Sequence, residues 1–463
     1  MKYLITIWLG KLIKVGLKLL GSGGSALPGL VVNKINRNFL IQFASRLKHG
    51  SILVTGTNGK TTTVGLLADI FDRAGYEVVV NRTGSNLSRG LISEFLDMVD
   101  WQGRVMADLA VLEVDEADLK NLLFELKTKT LLVTNLFRDQ LDRYGELDSL
   151  QKLILTAVDD MPAGSKLVLN ADDPLVYNLA ESKNKGVEKV FFGLDVNKSE
   201  KISQTVLDVE KCVKCGNVLK YSGYFLAHLG DYRCDKCGFK RPILDYKVVD
   251  YDINNLDRIK IAIEAKGELI PLLVTNLPGL YNVYNVAGAV AVARAWGVEN
   301  ELIFESLQKF KPVFGRFEKL SVNNKNEMYL MLSKNPTGFN QLLDTVLTIE
   351  SKLNLIFILN DNYADGRDVS WIWDVDFEKL DGRLNWLVVS GLRAQDMIVR
   401  MKYAGIDEKI MAHESNMAIL IDDLIDMREE GTIFVMASYT GMMEFRSVLV
   451  KKGFLKEYWK EKK

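Results

Sequence analysis

Short, unbroken apolar runs separated by stretches of helical spacing dominate the chain from Ser51 onward. Residues 51–55 (Ser-Ile-Leu-Val-Thr) read as a buried strand, and 61–74 repeats apolar residues at helical intervals. Further runs at 77–80, 110–114, 131–134 and 166–169 predict more strands, with helical patterns such as 149–158 between some of them. A strand covered on both faces has no polar side to alternate with, so this order predicts a mostly parallel sheet flanked by helices. From about 206 to 249 the periodicity disappears and a cysteine-bearing insert takes its place. The α/β pattern resumes near Ile259, with a helix predicted over 282–295. After Phe310, residues 311–316 (Lys-Pro-Val-Phe-Gly-Arg) read as a linker. Strands at 355–359, 386–389 and 433–436, separated by helices at 340–348, 394–403 and 417–427, predict a second, smaller α/β domain.

The expected organisation is therefore an N-terminal helical segment (1–48), a central α/β domain (49–313) interrupted by the insert (205–245), and a C-terminal α/β domain (314–463). A length of 463 residues with 48% apolar content suits two or three cores. In residues 1–20 apolar positions alternate with Lys2, Lys11, Lys14 and Lys18. No apolar run there approaches the roughly 18 residues that would span a bilayer, and Lys11 and Lys14 interrupt a secretory signal early. Two readings stay open: an amphipathic helix packed on the protein, or one lying on a membrane surface. With 59 basic against 60 acidic residues the net charge is -1, so no global field favours nucleic acid or an anionic membrane, and such a partner must be bound locally. Four cysteines confined to one short segment fit a reducing compartment, which places the protein in the cytoplasm.

Thr55-Gly56-Thr57-Asn58-Gly59-Lys60-Thr61-Thr62 sits where a strand ends and a helix begins. Backbone N–H groups and the positive end of a helix dipole can face a phosphate there, while Lys60 neutralises the β/γ oxygens and Thr61 offers a hydroxyl to Mg²⁺. Lys60 is expected to face solvent. Val54 stands where the standard P-loop has its first glycine. A plain glycine turn would explain Gly56 and Gly59 but not the Gly-Lys-Thr that follows a buried strand.

This stretch resembles the ATP-binding loop of the Mur ligases and their relative folylpolyglutamate synthase, and other motifs follow in the family's order. Glu113 in Leu112-Glu113-Val114-Asp115-Glu116 matches the family's strand-end metal-holding glutamate. Thr134-Asn135-Leu136 with Asp139-Gln140-Leu141-Asp142, Asn170-Ala171-Asp172-Asp173-Pro174, Gly279-Leu280-Tyr281-Asn282-Val283-Tyr284-Asn285 and Gly315-Arg316-Phe317-Glu318 match the remaining elements. The resemblance implies ATP bound by residues 56–62, Asn282, Asn285 and Arg316, with Mg²⁺ on Thr61 and Glu113. Gln140 and Tyr281 stand where the family usually has histidine. Ser333-Lys334-Asn335-Pro336-Thr337-Gly338-Phe339 resembles the next motif, but neither Met331 nor Leu332 supplies its usual acid. Only about 50 residues precede the loop, so the domain that holds a UDP-linked sugar in the amino-acid-adding members is not expected, nor is a nucleotide-sugar substrate.

Cys212-x₂-Cys215-x₁₈-Cys234-x₂-Cys237 has zinc-ribbon spacing. Four thiolates can close a tetrahedron around Zn²⁺ and leave no open position for water, which makes the metal structural. Buried free thiols or a redox pair are the alternatives. Residues 360–374, Asn-Asp-Asn-Tyr-Ala-Asp-Gly-Arg-Asp-Val-Ser-Trp-Ile-Trp-Asp, are dense in acids. On composition alone they read equally as a solvated loop packed by Trp371 and Trp373.

Together with the ribbon, the acidic stretch resembles the amidating branch of the Mur ligases. That resemblance implies that ATP phosphorylates the α-carboxyl of D-glutamate in the stem peptide of lipid II, at the inner face of the cell membrane, and that ammonia then gives isoglutamine. It implies a heterodimer with a GatD-like glutaminase subunit, whose Cys-His pair Asp368 would complete, with Asp365 in reserve. If every cysteine serves the ribbon, none remains to hydrolyse glutamine here, which also calls for a partner. Nucleic acid is not expected. The rivals are a free-standing ligase such as a folylpolyglutamate synthase, and a zinc-ribbon interaction protein with a vestigial nucleotide fold.

Overall fold

The computed structural model describes residues 2–19, 27–81, 88–138, 147–195, 209–311, 317–321, 326–427 and 430–455. Its centre is a nine-stranded sheet. Six strands come first: β1 (Gly50–Thr55), β2 (Val78–Val80), β3 (Leu109–Glu113), β4 (Thr128–Val133), β5 (Lys166–Asn170) and β6 (Glu188–Leu194). Three more close it, namely β9 (Tyr246–Asp252), β10 (Arg258–Ala265) and β11 (Glu268–Thr275), in the order β11-β10-β9-β6-β5-β4-β1-β3-β2. Every residue of β1 and β3 is buried, as their unbroken apolar runs require.

From β2 to β9 neighbouring strands are parallel; β9, β10 and β11 pair antiparallel. The antiparallel flank was not evident from apolar runs. Its strands alternate buried and exposed positions, and β10 and β11 are joined by a tight Lys266-Gly267 turn. The stretch 206–249, aperiodic in sequence, contains the start of β9. The helix Leu280–Ala295 is buried from Asn282 to Ala293 and packs against both the sheet and the helix Lys60–Arg73.

The insert folds as a hairpin of β7 (Lys220–Leu226) and β8 (Leu229–Arg233) with a cysteine pair on each side. The two cysteine turns share a geometry. Gly216 N–H donates to the Cys212 carbonyl and Gly238 N–H to that of Cys234, at 2.8 and 3.0 Å. Both glycines have positive φ, +71° and +74°, which explains a glycine after each pair.

A second sheet holds β12 (Glu318–Ser321), β13 (Asn326–Leu332), β14 (Leu353–Ile358), β15 (Leu384–Ser390), β16 (Met411–His413) and β17 (Gly431–Ala437), in the order β12-β13-β17-β14-β15-β16. It is parallel except for the β12–β13 pair and has its own apolar layers on both faces. Before β1, the helices Lys2–Leu19, Leu27–Ile35 and Phe39–Ala44 pack on the helix Ser88–Asp97. No helix among the described residues is long and apolar enough to cross a membrane.

Candidate active site

β1 lies between β3 and β4, so the segments leaving the C-terminal ends of these three strands meet around one loop. At its turn into the helix Lys60–Arg73, Gly59 has φ +87°, and a Cβ there would lie 2.1 Å from Asn285 Oδ1, so both conformation and space call for glycine. Asn285 is held in turn by Asn282, to whose Oδ1 its Nδ2 donates at 2.9 Å.

Lys60 is not solvent-facing as the sequence suggested; it is 9% exposed. Its ammonium lies 3.0 Å from Glu116 Oε1 and also donates to the Gly56 and Thr57 carbonyls. An ammonium in this position needs an anion, and Glu116, just past β3, supplies one. The next side chain, Thr61, donates from Oγ1 to Glu113 Oε2 at 2.6 Å. Glu113 is fixed through its backbone, which exchanges two hydrogen bonds with the amide of Asn81 at 2.9 and 2.8 Å. A hydroxyl and a carboxylate converging at a helix N-terminus form the oxygen donor set that a hard divalent cation takes.

Asn135 clamps the loop: its Oδ1 accepts from Asn58 N and its Nδ2 donates to Asn58 O, at 2.8 and 3.0 Å. Thr134 Oγ1 adds a bond to the same carbonyl at 2.8 Å. Thr57 Oγ1 accepts from Phe137 N at 3.0 Å. From the second sheet, Asn335 Nδ2 reaches Asn58 Oδ1 at 3.1 Å. Between the two lobes opens a cleft of about 550 Å³ including its mouth, lined among others by Asn58, Thr62, Tyr281, Asn285, Phe317 and Asn335. Gly56, Thr57, Asn58, Gly59, Lys60, Thr61, Thr62, Glu113, Asn282 and Asn285 thus form one neighbourhood, while Arg316 and Gln140 lie outside the described residues.

The four cysteine sulfurs lie within 4.8 Å of one another. Burial pushes the Cys212 thiol up to about 12, whereas the N–H groups of Cys237 and Lys236 draw Cys234 down to about 6. Four clustered thiols fit a soft, tetrahedral ion. The ribbon is bolted to the turn after β5. Gly230 N donates to Asp172 O, Tyr232 Oη to Ala171 O and Arg241 Nε to Asp172 Oδ1, at 2.9, 3.1 and 2.6 Å. Burial drives the Asp172 carboxyl up, opposed first by Arg241 and then by hydrogen bonds from Leu194 N and Tyr284. At the hairpin tip, buried His228 meets the Phe137 ring edge-on, with centroids 4.9 Å apart, and lies 3.4 Å from Asp173 Oδ1. The other oxygen of Asp173 accepts from Leu136 N, beside the loop 56–60, at 2.8 Å.

The two acidic-loop candidates differ. Asp365 is buried and committed, accepting from Thr440 N at 2.7 Å at the start of the helix Tyr439–Lys451. Asp368 is exposed, and its Oδ1 accepts from Ser370 N at 2.8 Å. Ser370's hydrogen bonds hold that carboxyl below the usual carboxylate range. None of the residues lining the cleft comes from this loop.

Sequence reasoning did not assign Glu116, Asn81, Asn335 or Arg241. Glu116 was within reach, lying three residues after the glutamate that was singled out. Arg241 carried no local signal, since its partner Asp172 is 69 residues away.

Comparison with known proteins agrees with this arrangement. The model of the Mur ligase middle domain matches residues 54–225, and that of the MurT ligase C-terminal domain matches 332–442. The chain is 33% identical to the Streptococcus pneumoniae protein named lipid II isoglutaminyl synthase (glutamine-hydrolyzing) subunit MurT, over 94% of each chain. It is 31% identical to the Staphylococcus aureus (strain COL) protein of the same name, over 89% of this chain and 90% of that one. Among solved structures, a pseudomurein peptide ligase type C from Methanothermus fervidus superposes with a TM-score of 0.66 at 24% identity, covering 91% of this chain and 84% of the other, which bears on the fold alone. The chain belongs to the MurT family, and so to the Mur ligases, the ATP-dependent ligases of peptidoglycan synthesis.

Proposed function

We propose that the chain is the synthetase subunit of an amidotransferase that converts the α-carboxyl of D-glutamate in the lipid II stem peptide to the amide. A carboxylate oxygen attacks the γ-phosphorus of ATP and ADP leaves, giving an acyl phosphate. Ammonia then attacks the acyl carbon, phosphate departs, and the added nitrogen loses a proton as the amide forms. The observation that carries this reading is the Lys60, Thr61 and Glu113 cluster at a helix N-terminus, where charge on a phosphoryl group in transfer is best stabilised. In this reading Lys60 exchanges Glu116 for phosphate oxygens, Asn58 and Asn335 orient the nucleotide between the lobes, and Asn282 and Asn285 fix the loop. Mg²⁺, held by Thr61 and Glu113, would supply charge neutralisation on the phosphate oxygens.

Zinc on Cys212, Cys215, Cys234 and Cys237 would hold the ribbon in shape. A GatD-like glutaminase would supply ammonia, with the Asp368 carboxylate orienting its histidine. The exposure of Asp368 and the structural commitment of Asp365 favour this choice. The reaction is tested with lipid II carrying ¹⁸O in the α-carboxyl, ATP and ammonium. Transfer of one labelled oxygen to inorganic phosphate is expected; unlabelled phosphate would eliminate the acyl phosphate. Phosphate release with a folate acceptor and not with lipid II would move the chain to the free-standing rival.

A further inference from the structure

The helix Lys2–Leu19 is apolar on two sides. One side, with Tyr3, Thr6, Ile7 and Gly10, is buried; a Cβ on Gly10 would strike Leu96 and Val32. The other presents Ile5, Trp8, Leu12 and Val15, which are 51, 46, 61 and 49% exposed. Their spacing of three, four and three residues makes one continuous stripe along the helix. Beside it, Trp8 Nε1 donates to the Trp101 carbonyl at 2.7 Å, and Trp101 is itself exposed. The next helix adds exposed Leu27 and Leu30. Single exposed apolar residues are ordinary, but a stripe of four that includes Trp8 and is extended by Trp101 is a surface that something covers.

Charge indicates what covers it. The first acidic residue in the chain is Asp69, whereas Lys2, Lys11, Lys14, Lys18, Lys34 and Arg37 all precede it; with a net charge of -1, the remainder is acidic. Lys14 is neutralised by Asp97 at 2.6 Å, and the Lys11 ammonium sits 5.5 Å over the Trp101 ring. Lys2, Lys34 and Arg37 are exposed. An apolar stripe with tryptophans on a segment whose charged residues before Asp69 are all basic, with Asp97 paired to Lys14, is the composition of a helix lying in the interface of an anionic bilayer.

We infer that the stripe Ile5, Trp8, Leu12 and Val15, with Trp101 and the basic residues around it, docks the protein peripherally on an anionic lipid surface. This deepens the amidation reading by naming the face that meets the membrane, and its test does not use the reaction. Full-length protein is floated with vesicles of phosphatidylglycerol and phosphatidylcholine, and with pure phosphatidylcholine. Binding to the anionic vesicles at least roughly tenfold stronger than to the neutral ones, and weakening with salt, is expected. Ile5→Ser with Leu12→Ser should lower it at least roughly tenfold, since two apolar contacts are lost, while leaving the melting temperature unchanged. Equal binding to both vesicle types, no binding, or full binding by the double variant would overturn the inference. So would unchanged vesicle binding together with lost glutaminase association or altered self-association, which would assign the stripe to a protein partner. Amidation of a water-soluble stem peptide by the glutaminase complex should be unaffected in the variant; its absence in wild type would count against the amidation reading alone.

Discussion

The glycine-rich loop that carries Lys60 and the acidic loop each follow a parallel strand inside a sheet, β1 and β14, yet they spend their polar groups in opposite ways. Around Lys60 the polar atoms are turned on one another: the ammonium on Glu116, the Thr61 hydroxyl on Glu113, the Asn58 backbone on Asn135. In the acidic loop, Asp365 closes the structure while Asp368 stands in solvent with a local bond to Ser370. A buried, self-satisfied cluster suits a small charged ligand that trades partners one for one. An exposed carboxylate held in a fixed turn suits a group presented by another chain.

Removing Lys60 should produce the largest effect. Lys60→Ala is expected to lower ATP turnover roughly 10²–10³-fold with glutamine and ammonium alike. Because Glu116 would lose its cation, the combined Lys60→Met/Glu116→Gln variant separates lost chemistry from lost stability. A phosphate-release assay near wild-type rate in a folded variant would remove the nucleotide assignment.

Asp368→Asn should lower only glutamine-driven amidation, by roughly 10²-fold, since the amide cannot hold a histidine in its working tautomer or stabilise the imidazolium. Ammonium-driven amidation and co-elution with the glutaminase should persist. Equal loss with both donors would erase the distinction between the loops.

The ribbon sharpens the comparison, because it touches only one side of it. Through Asp172 and Asp173 it braces the segment that holds Leu136 and Phe137 against the glycine-rich loop. Cys212→Ser should release bound zinc, read by metal analysis, and lower the melting temperature by roughly 5 °C. Both nitrogen donors should then be affected equally, with assembly intact. A selective loss of glutamine use would show that the ribbon serves the partner instead. The smallest effect on chemistry is expected from Asp365→Ala, which removes the buried acceptor of Thr440 and Asn362 and should cost roughly 1–3 kcal/mol by thermal denaturation without separating the two donors.

What was legible in the sequence follows the same division. Fully buried strands write themselves as unbroken apolar runs, so β1, β3, β4 and β5 were visible, as was the loop that follows β1. The antiparallel β9 to β11 were not, because half-exposed strands alternate and β9 begins in an aperiodic stretch. The loop's own residues were readable, since Gly59, Lys60 and Thr61 are adjacent. Its supports were not, because Asn81, Asn335 and Arg241 act across 32, 277 and 69 residues. Burial of Lys60 was misjudged for the same reason: its counter-charge comes from a residue 56 positions on.

The parallel register of β1 and β3 fixes how far apart two surfaces stand. Trp101 lies in the connection entering β3, whereas Lys60 leaves β1 at the opposite rim, and five residue pairs from Gly50↔Leu109 to Val54↔Glu113 separate the rims. At about 3.3 Å per residue, those four steps are roughly 13 Å along the strands. With a bilayer seated at Trp8 and Trp101 and the strands pointing away from it, the rim that carries Lys60 would stand about that far above the lipid. A carboxyl at the height of an ordinary phospholipid headgroup would fall short of it, whereas one carried on a long tether could arrive. Acceptor choice would then depend on the length of that tether as well as on the groups lining the cleft.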